Sequence, residues 1–316
     1  MPTQSESPPS GQWTPRTDLP KRSVFGNFRG DATAEIPFDT AGDVADSPRP
    51  DLSHSPAKGE PLQAAIDAAI ARGYICRFLA QAYEDPSPAG WSWLTDNQTR
   101  ASLNSTVRVL GGSLPSAMRG LIDALIPAAF ESYFNGYLAA FGHAARGSCP
   151  LNEIEYGDIK ADPLFQPHRL ADLAAFYHAF GLDLADDAGE RQDHICLELE
   201  FMCVLAAREA YALEHQRDHD ELALCRDTQK KFLREHLGRW TPAFARRLAA
   251  ATEEPALRAL AGFTGAFIES ECARFGVEPG SHDLWLRPAD ETADRMCDSC
   301  GISNLPPGAE PVEGAA

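Results

Sequence analysis

Apolar residues recur every three or four positions from Leu62 to about Phe275, a spacing that specifies helices. The first stripe is Leu62, Ile66, Ala69, Ile70, Gly73, Tyr74, Phe78 and Ala82, behind Pro61, which stands where a first-turn proline is tolerated. A loop with Pro86 and Pro88 follows. Further helices are predicted over about 98–110, 115–126, 128–142, 167–181, 192–215, 219–236, 241–251 and 255–275. Gly181 and Gly276 sit where C-terminal caps belong. No alternating run of strand length, no hairpin turn built on Asn-Gly or Asp-Gly, and no internal repeat is visible. The pattern therefore predicts an all-α, single-domain helical bundle over residues 61–278.

The two ends read differently. Of residues 1–60, 21 are Pro, Ser or Gly, and no apolar period is sustained. Such a segment buries too little surface to offset its ordering entropy, so a disordered N-terminal extension is expected. Residues 279–316, again rich in Pro, Gly and acid, are expected to be a flexible C-terminal tail.

Charge narrows the partners. A formal net charge of -18 makes a nucleic-acid backbone an unfavourable ligand and a basic peptide a favourable one. No run approaches the roughly 20 apolar residues that span a bilayer, so no stable membrane association is expected. Lys21-Arg22-Ser23-Val24-Phe25 echoes a twin-arginine motif, but Gly26-Asn27-Phe28-Arg29-Gly30-Asp31 follows in place of the apolar core of an export signal. The protein is expected in the cytoplasm, where its eight cysteines, at scattered spacings, stay reduced.

Candidate chemistry concentrates in two segments. In Glu190-Arg191-Gln192-Asp193-His194, Asp193 precedes an apolar run where an N-cap stands, and Glu190, His194 and Glu198 fall at i, i+4 and i+8 of one helix face. Two readings fit. One is a capped helix whose His194 bonds a neighbouring carboxylate. The other is a polar cluster at a groove mouth, where carboxylates receive a cationic ligand and His194 reports pH or donates a bond. Cys196 and Cys203 share a face as buried thiols. The second segment runs from Tyr133 through Tyr137 and Phe141 into a long loop, Ser148 to Gly157. Tyr137 and Phe141 read as helix core. The loop carries Cys149, Pro150, Glu153, Glu155 and Tyr156, and a long loop of that make-up points to function. Glu153 and Glu155 either face an arginine-bearing ligand or are ordinary surface carboxylates.

No dinucleotide fingerprint, phosphate loop, His-Glu-x-x-His or nucleophile elbow is present, so no compact motif supports an enzyme. Cys297-Asp298-Ser299-Cys300 is a lone CxxC without the second pair a zinc site needs, and His215 and His219 flank a helix break. A metal-binding helical protein or metal-dependent enzyme using His194, Glu198 and the CxxC tail is the alternative reading.

The Glu190–His194 segment, continuing through Leu199-Glu200-Phe201-Met202, is similar to the Glu-(Pro-x)-Asp-His signature of the TorD/DmsD/NarJ family of redox-enzyme maturation chaperones. Tyr137-Leu138-Ala139-Ala140-Phe141 resembles the family's aromatic-x-x-Leu-Phe block, with Ala140 where Leu is usual. Cys149-Pro150 to Gly157 resembles its Pro-Tyr-Glu-x-x-Tyr-Gly loop, with Asn152 in place of the first Tyr. Phe232-Leu233-Arg234-Glu235-His236-Leu237-Gly238-Arg239-Trp240 resembles a later helix end. The resemblance covers about residues 65–276. It implies an all-helical, non-catalytic chaperone without a cofactor of its own. Such a protein binds the twin-arginine leader of a molybdenum oxidoreductase precursor and holds it until molybdopterin is inserted. Asp193, His194 and Glu190 are then expected at the centre of the peptide-binding face, with Tyr137, Phe141, Glu153 and Tyr156 in support.

Overall fold

The computed structural model describes residues 62–142, 148–157, 165–184, 189–215 and 219–287. The N-terminal extension and the CxxC of Cys297 and Cys300 lie outside the described residues. Ten α-helices occupy the described chain: α1 Leu62–Tyr83, α2 Pro88–Thr95, α3 Asn97–Leu110, α4 Leu114–Ala124, α5 Phe130–Phe141, α6 Phe165–Ala179, α7 Ile195–Glu214, α8 His219–Glu235, α9 Leu237–Ala251 and α10 Pro255–Phe275. No strand occurs among the described residues, only two isolated bridges. The fold is all-α.

The Pro86–Pro88 loop holds one helix more than its prolines predict. Ser87 accepts the N–H of Gly90 at 3.1 Å, and Pro88 occupies the first turn, so α2 starts there and buries Trp91 and Leu94. Asp96 then caps α3, accepting from Gln98 and Thr99 at 2.8 and 3.2 Å. At the other end, Gly276 takes the left-handed conformation that stops α10.

α1 lies along α7, with Gly73 against Ala206 and Cys203. A Cβ at Gly73 would stand 3.6 Å from that of Ala206, ordinary van der Waals contact. α9 packs on α10, α4 covers α10, α3 covers α1, and α8 bridges α7 and α9. Where these layers meet, Tyr83, Phe141, Tyr156, Trp240 and Phe244 form one aromatic cluster, with ring centroids 5.3 Å apart for Tyr83–Phe244 and 5.2 Å for Tyr156–Trp240. A second cluster joins Phe176, Tyr177, Phe201 and Phe232.

α9 begins at Leu237, directly after a bend at His236, and so contains Pro242. Proline has no N–H for the carbonyl four residues back. That carbonyl, Gly238 O, accepts instead from Gly280 N at 2.9 Å. The chain after α10 is thereby fastened to α9, and residues 279–287, expected as part of the flexible tail, pack on the bundle. Its last residues run along the 148–157 loop: Gly157 N donates to Trp285 O at 3.1 Å and Arg287 N to Glu155 O at 3.0 Å.

Candidate functional site

The start of α7 departs from expectation in a way that defines the site. Asp193 is not the N-cap. Its buried carboxylate turns back to the loop and accepts from Ile154 N at 3.1 Å, from Asn152 Nδ2 at 3.2 Å, and from Arg191 Nε and Nη2 at 2.6 and 3.0 Å. The backbone adds Glu153 N to Asp193 O and Ile195 N to Leu151 O, both 2.9 Å. With Asp193 committed, the helix starts at Ile195, three residues after the predicted start, and His194 becomes the cap, its Nδ1 accepting from Cys196 N at 3.3 Å. Glu190 therefore lies in the loop before α7, and the predicted alignment of Glu190, His194 and Glu198 on one helix face does not form.

A ring whose Nδ1 accepts carries its neutral proton on Nε2. Burial lowers the His194 pKa to about 4, against the opposing pull of Asp193 and Asp85. His194 is neutral at physiological pH and offers a donor there, so its pH-reporting reading gives way to the hydrogen-bonding one.

Glu153 is sealed inside the molecule. His236 Nδ1 lies 2.8 Å from it, Arg239 donates from Nη2 at 2.9 Å, and Arg169 stands at 3.5 Å. These partners hold its carboxyl below the usual range although burial works the other way. His236 is itself fully buried and reaches Asp172 at 3.0 Å through Nε2. Glu155 pairs with Arg191 at 3.7 Å. Both loop glutamates thus face arginines of this chain, and neither is an ordinary surface carboxylate. Glu198 is buried beneath them. Trp240 Nε1 donates to both its oxygens at 3.2 Å, while burial and the nearby Glu153 charge push its pKa well up. Among the described residues no group of three His, Cys, Asp or Glu side chains is placed to hold a metal.

Tyr137, Phe141 and Tyr156 are buried. The tyrosines finish backbone ends: Tyr137 donates to Tyr83 O at 2.9 Å, and Tyr156 to Pro150 O at 2.9 Å. Tyr133 donates to Ala82 O at 2.7 Å and the Cys196 thiol to Ala80 O at 3.2 Å. Carbonyls in the last turn of a helix lack helical partners. Here α5 supplies them for Ala82 and Tyr83, while the Cys196 thiol of α7 adds a second donor to Ala80 O, which also accepts Glu84 N at 3.2 Å, and both helices so hold the turn that follows α1.

That turn forms a shallow cleft. Glu84, Asp85, Pro86, Trp91, Leu94 and Tyr133 are among the residues that line it. The fields of Glu84, Glu200, Glu190 and Asp85 all add to burial in raising the Cys196 thiol, which places these carboxylates around the start of α7. Beyond the buried Trp91, apolar side chains reach the surface among Glu131, Ser132 and Asn135. Phe130 packs on Trp91 with ring centroids 6.3 Å apart, Phe134 lies 6.2 Å further on, and Ile126 is 52 % exposed. Of the seven residues expected at the binding face, His194 and Glu190 are partly exposed and the other five are buried. Sequence reasoning missed Glu84, Asp85, Trp91 and Phe130. The one local signal for them was an acidic pair at a helix end, ahead of Pro86.

The profile of the family described as nitrate reductase delta subunit matches residues 112–246. The chain is 30 % identical over 219 residues to the selenate reductase assembly chaperone protein of Thauera selenatis, covering 69 % of this chain and 96 % of that protein. It is 28 % identical over 214 residues to the chlorate reductase assembly chaperone protein of Ideonella dechloratans, covering 67 % of this chain and 92 % of that one. It is also 30 % identical over 95 residues to the chaperone protein TorD of Vibrio cholerae, 30 % of this chain and 41 % of the relative. An all-α bundle with this loop-to-helix latch and these relatives is an assembly chaperone and not a catalyst. The chain belongs to the TorD/NarJ family. No helix of the described residues is long and apolar enough to cross a membrane.

Proposed function

We propose that this chain is a cytoplasmic, system-specific chaperone. It binds the precursor of a molybdopterin-containing oxidoreductase by its twin-arginine leader and assists cofactor insertion and folding before export. The observation that carries this reading is the meeting of an acidic turn and an apolar surface at one place. Asp85 lines the cleft with Trp91, on which Phe130 and then Phe134 pack, and the field of Asp85 reaches the neutral donor His194 and, with that of Glu190, Tyr137.

Arginines of the leader meet these carboxylates through charge-assisted hydrogen bonds, and the apolar residues after them lie along the aromatic face. Asp193, Glu153, Tyr137, Phe141 and Tyr156 contribute by holding the loop and the end of α1 in place. The charge of -18 favours such a basic segment and disfavours nucleic acid. The names of the selenate and chlorate reductase relatives support an oxidoreductase subunit as the client.

The test is titration of the protein with a fluorescent leader peptide carrying Arg-Arg before an apolar run, beside the same peptide with Gln-Gln. Binding lost with Gln-Gln, and weakened about tenfold by Asp85→Asn together with Glu190→Gln, is the expected result. Equal capture of a client subunit with and without its leader would overturn leader recognition in favour of a grip on the folded subunit.

A further inference from the structure

The cleft has a candidate occupant within the same chain. We infer that Lys21-Arg22-Ser23-Val24-Phe25 of the N-terminal extension docks on the Glu84–Asp85 turn and the Trp91–Phe130–Phe134 face, as an internal competitor of the client leader. The inference rests on the reading of that cleft as the leader site.

Three observations support it. The first is charge. Within an acidic chain, residues 16–30 carry Arg16, Lys21, Arg22 and Arg29 against Asp18 alone, a cationic island that complements a cleft lined by Glu84 and Asp85. The second is order of chemistry. A basic pair is followed after one residue by Val24 and Phe25, the succession that an acidic turn beside an aromatic face accommodates. The residues after them, Gly26-Asn27-Phe28-Arg29, are not an apolar run, so the segment has the recognition end of a leader without the stretch that an export signal requires.

The third is reach. α1 begins at Leu62 and ends at the cleft, and its 22 residues extend about 33 Å. The stretch between Phe25 and Leu62 spans up to about 120 Å when extended, several times the length of α1 and so long enough to bring Phe25 to the cleft. A tether of this kind raises the local concentration of the segment to about the millimolar range, enough for a weak ligand to occupy its site. Client binding must then displace it, and the apparent affinity for a leader falls by the fraction of open clefts.

Two measurements on the full chain test this. In the first, benzoylphenylalanine replaces Phe25 and the dilute protein is irradiated, with the adduct mapped by mass spectrometry. Adducts within residues 81–94 or 126–134 of the same chain, reduced several-fold by Glu84→Gln with Asp85→Asn, are expected. Adducts elsewhere, only between chains, or absent would overturn the inference. In the second, the Arg-Arg leader peptide is titrated into the wild type and into Lys21→Gln/Arg22→Gln, whose changes lie outside the bundle. Binding about three- to tenfold tighter in the variant is expected, and equal affinity would overturn self-competition. A peptide that binds neither protein while the intramolecular adduct still forms would sink the leader reading and leave the docked segment standing.

Discussion

The Asp193 carboxylate accepts the backbone N–H of Ile154 at 3.1 Å, across 39 residues of sequence. This bond, with the Asn152–His194 bridge beside it, makes the 148–157 loop and the entry to α7 one unit. The buried network beneath them, Glu153 with His236 and Arg239, ties the same loop to the α8–α9 bend.

Asp193→Ala strands Ile154 N–H and Asn152 at once and leaves the half-exposed Arg191 with Glu155. We predict a loss of about 2–4 kcal/mol, read as a lower urea midpoint with unchanged slope. Asp193→Asn keeps an acceptor and costs less. An unchanged midpoint in the alanine variant would mean that the latch adds nothing to the fold.

His194 adds a pH dependence whose sign is set. Its folded pKa of about 4 lies below the ordinary 6.5, so the unfolded chain binds the extra proton. The stabilisation is complete above about pH 6.5 and falls away as the pH drops toward 4. His194→Gln should flatten the stability profile in that window, which guanidinium unfolding at pH 7, 5.5 and 4.5 will read. A variant whose profile still parallels the wild type would disprove the assignment.

A buried carboxylate further along α7 titrates lower. Glu209 takes bonds from Arg226, Arg274 and Gln229 at 2.6–2.9 Å, and these, the arginines foremost, overcome burial to bring its pKa to about 2. Its stabilisation, on the order of 3 kcal/mol, is present above about pH 4.5 and lost as the pH falls toward 2. Glu209→Gln is expected to remove that part of the acid transition and to lower stability at pH 7. Identical acid transitions for the two proteins would refute it.

Gly280→Ala probes the strap after α10. A Cβ there would overlap the Arg239 carbonyl, and backbone cannot yield as a flexible side-chain end does. The strap should lift at a cost of about 1–3 kcal/mol, with faster hydrogen exchange at Gly157 and Arg287 and a folded bundle. Exchange as slow as in the wild type would show that the strap tolerates the methyl group.

The helices were legible because each buries a stripe with its own period; α10 was predicted over the residues it occupies. α2 was hidden by Pro86 and Pro88, since a proline reads as a breaker until Ser87 is seen capping the turn it opens. α9 was predicted to start at residue 241 because Pro242 hides the turn before it. In the site, Asp193 and His194 could be singled out by type but not by task. Which of them caps α7 depends on Ile154 and Asn152, and no local pattern reports a partner 39 residues away. His236 stood in the resemblance to a family helix end without a role, which only its contact with Glu153, 83 residues distant, supplies. Arg169 and Asp172 carried no signal at all.

Trp285 stands 82 % exposed on the strap, while Trp91 and Trp240 are 4 % and 0 % exposed. Its indole meets solvent at the seam between the end of the described chain and the 148–157 loop. The protein consequently carries a native emission probe at that seam, red-shifted and open to iodide, which stands against the buried Trp91 and Trp240 once Trp13 and the partly exposed Trp93 are replaced by Phe. A partner that settles over the strap will announce itself as a blue shift and a loss of quenching, with no label attached.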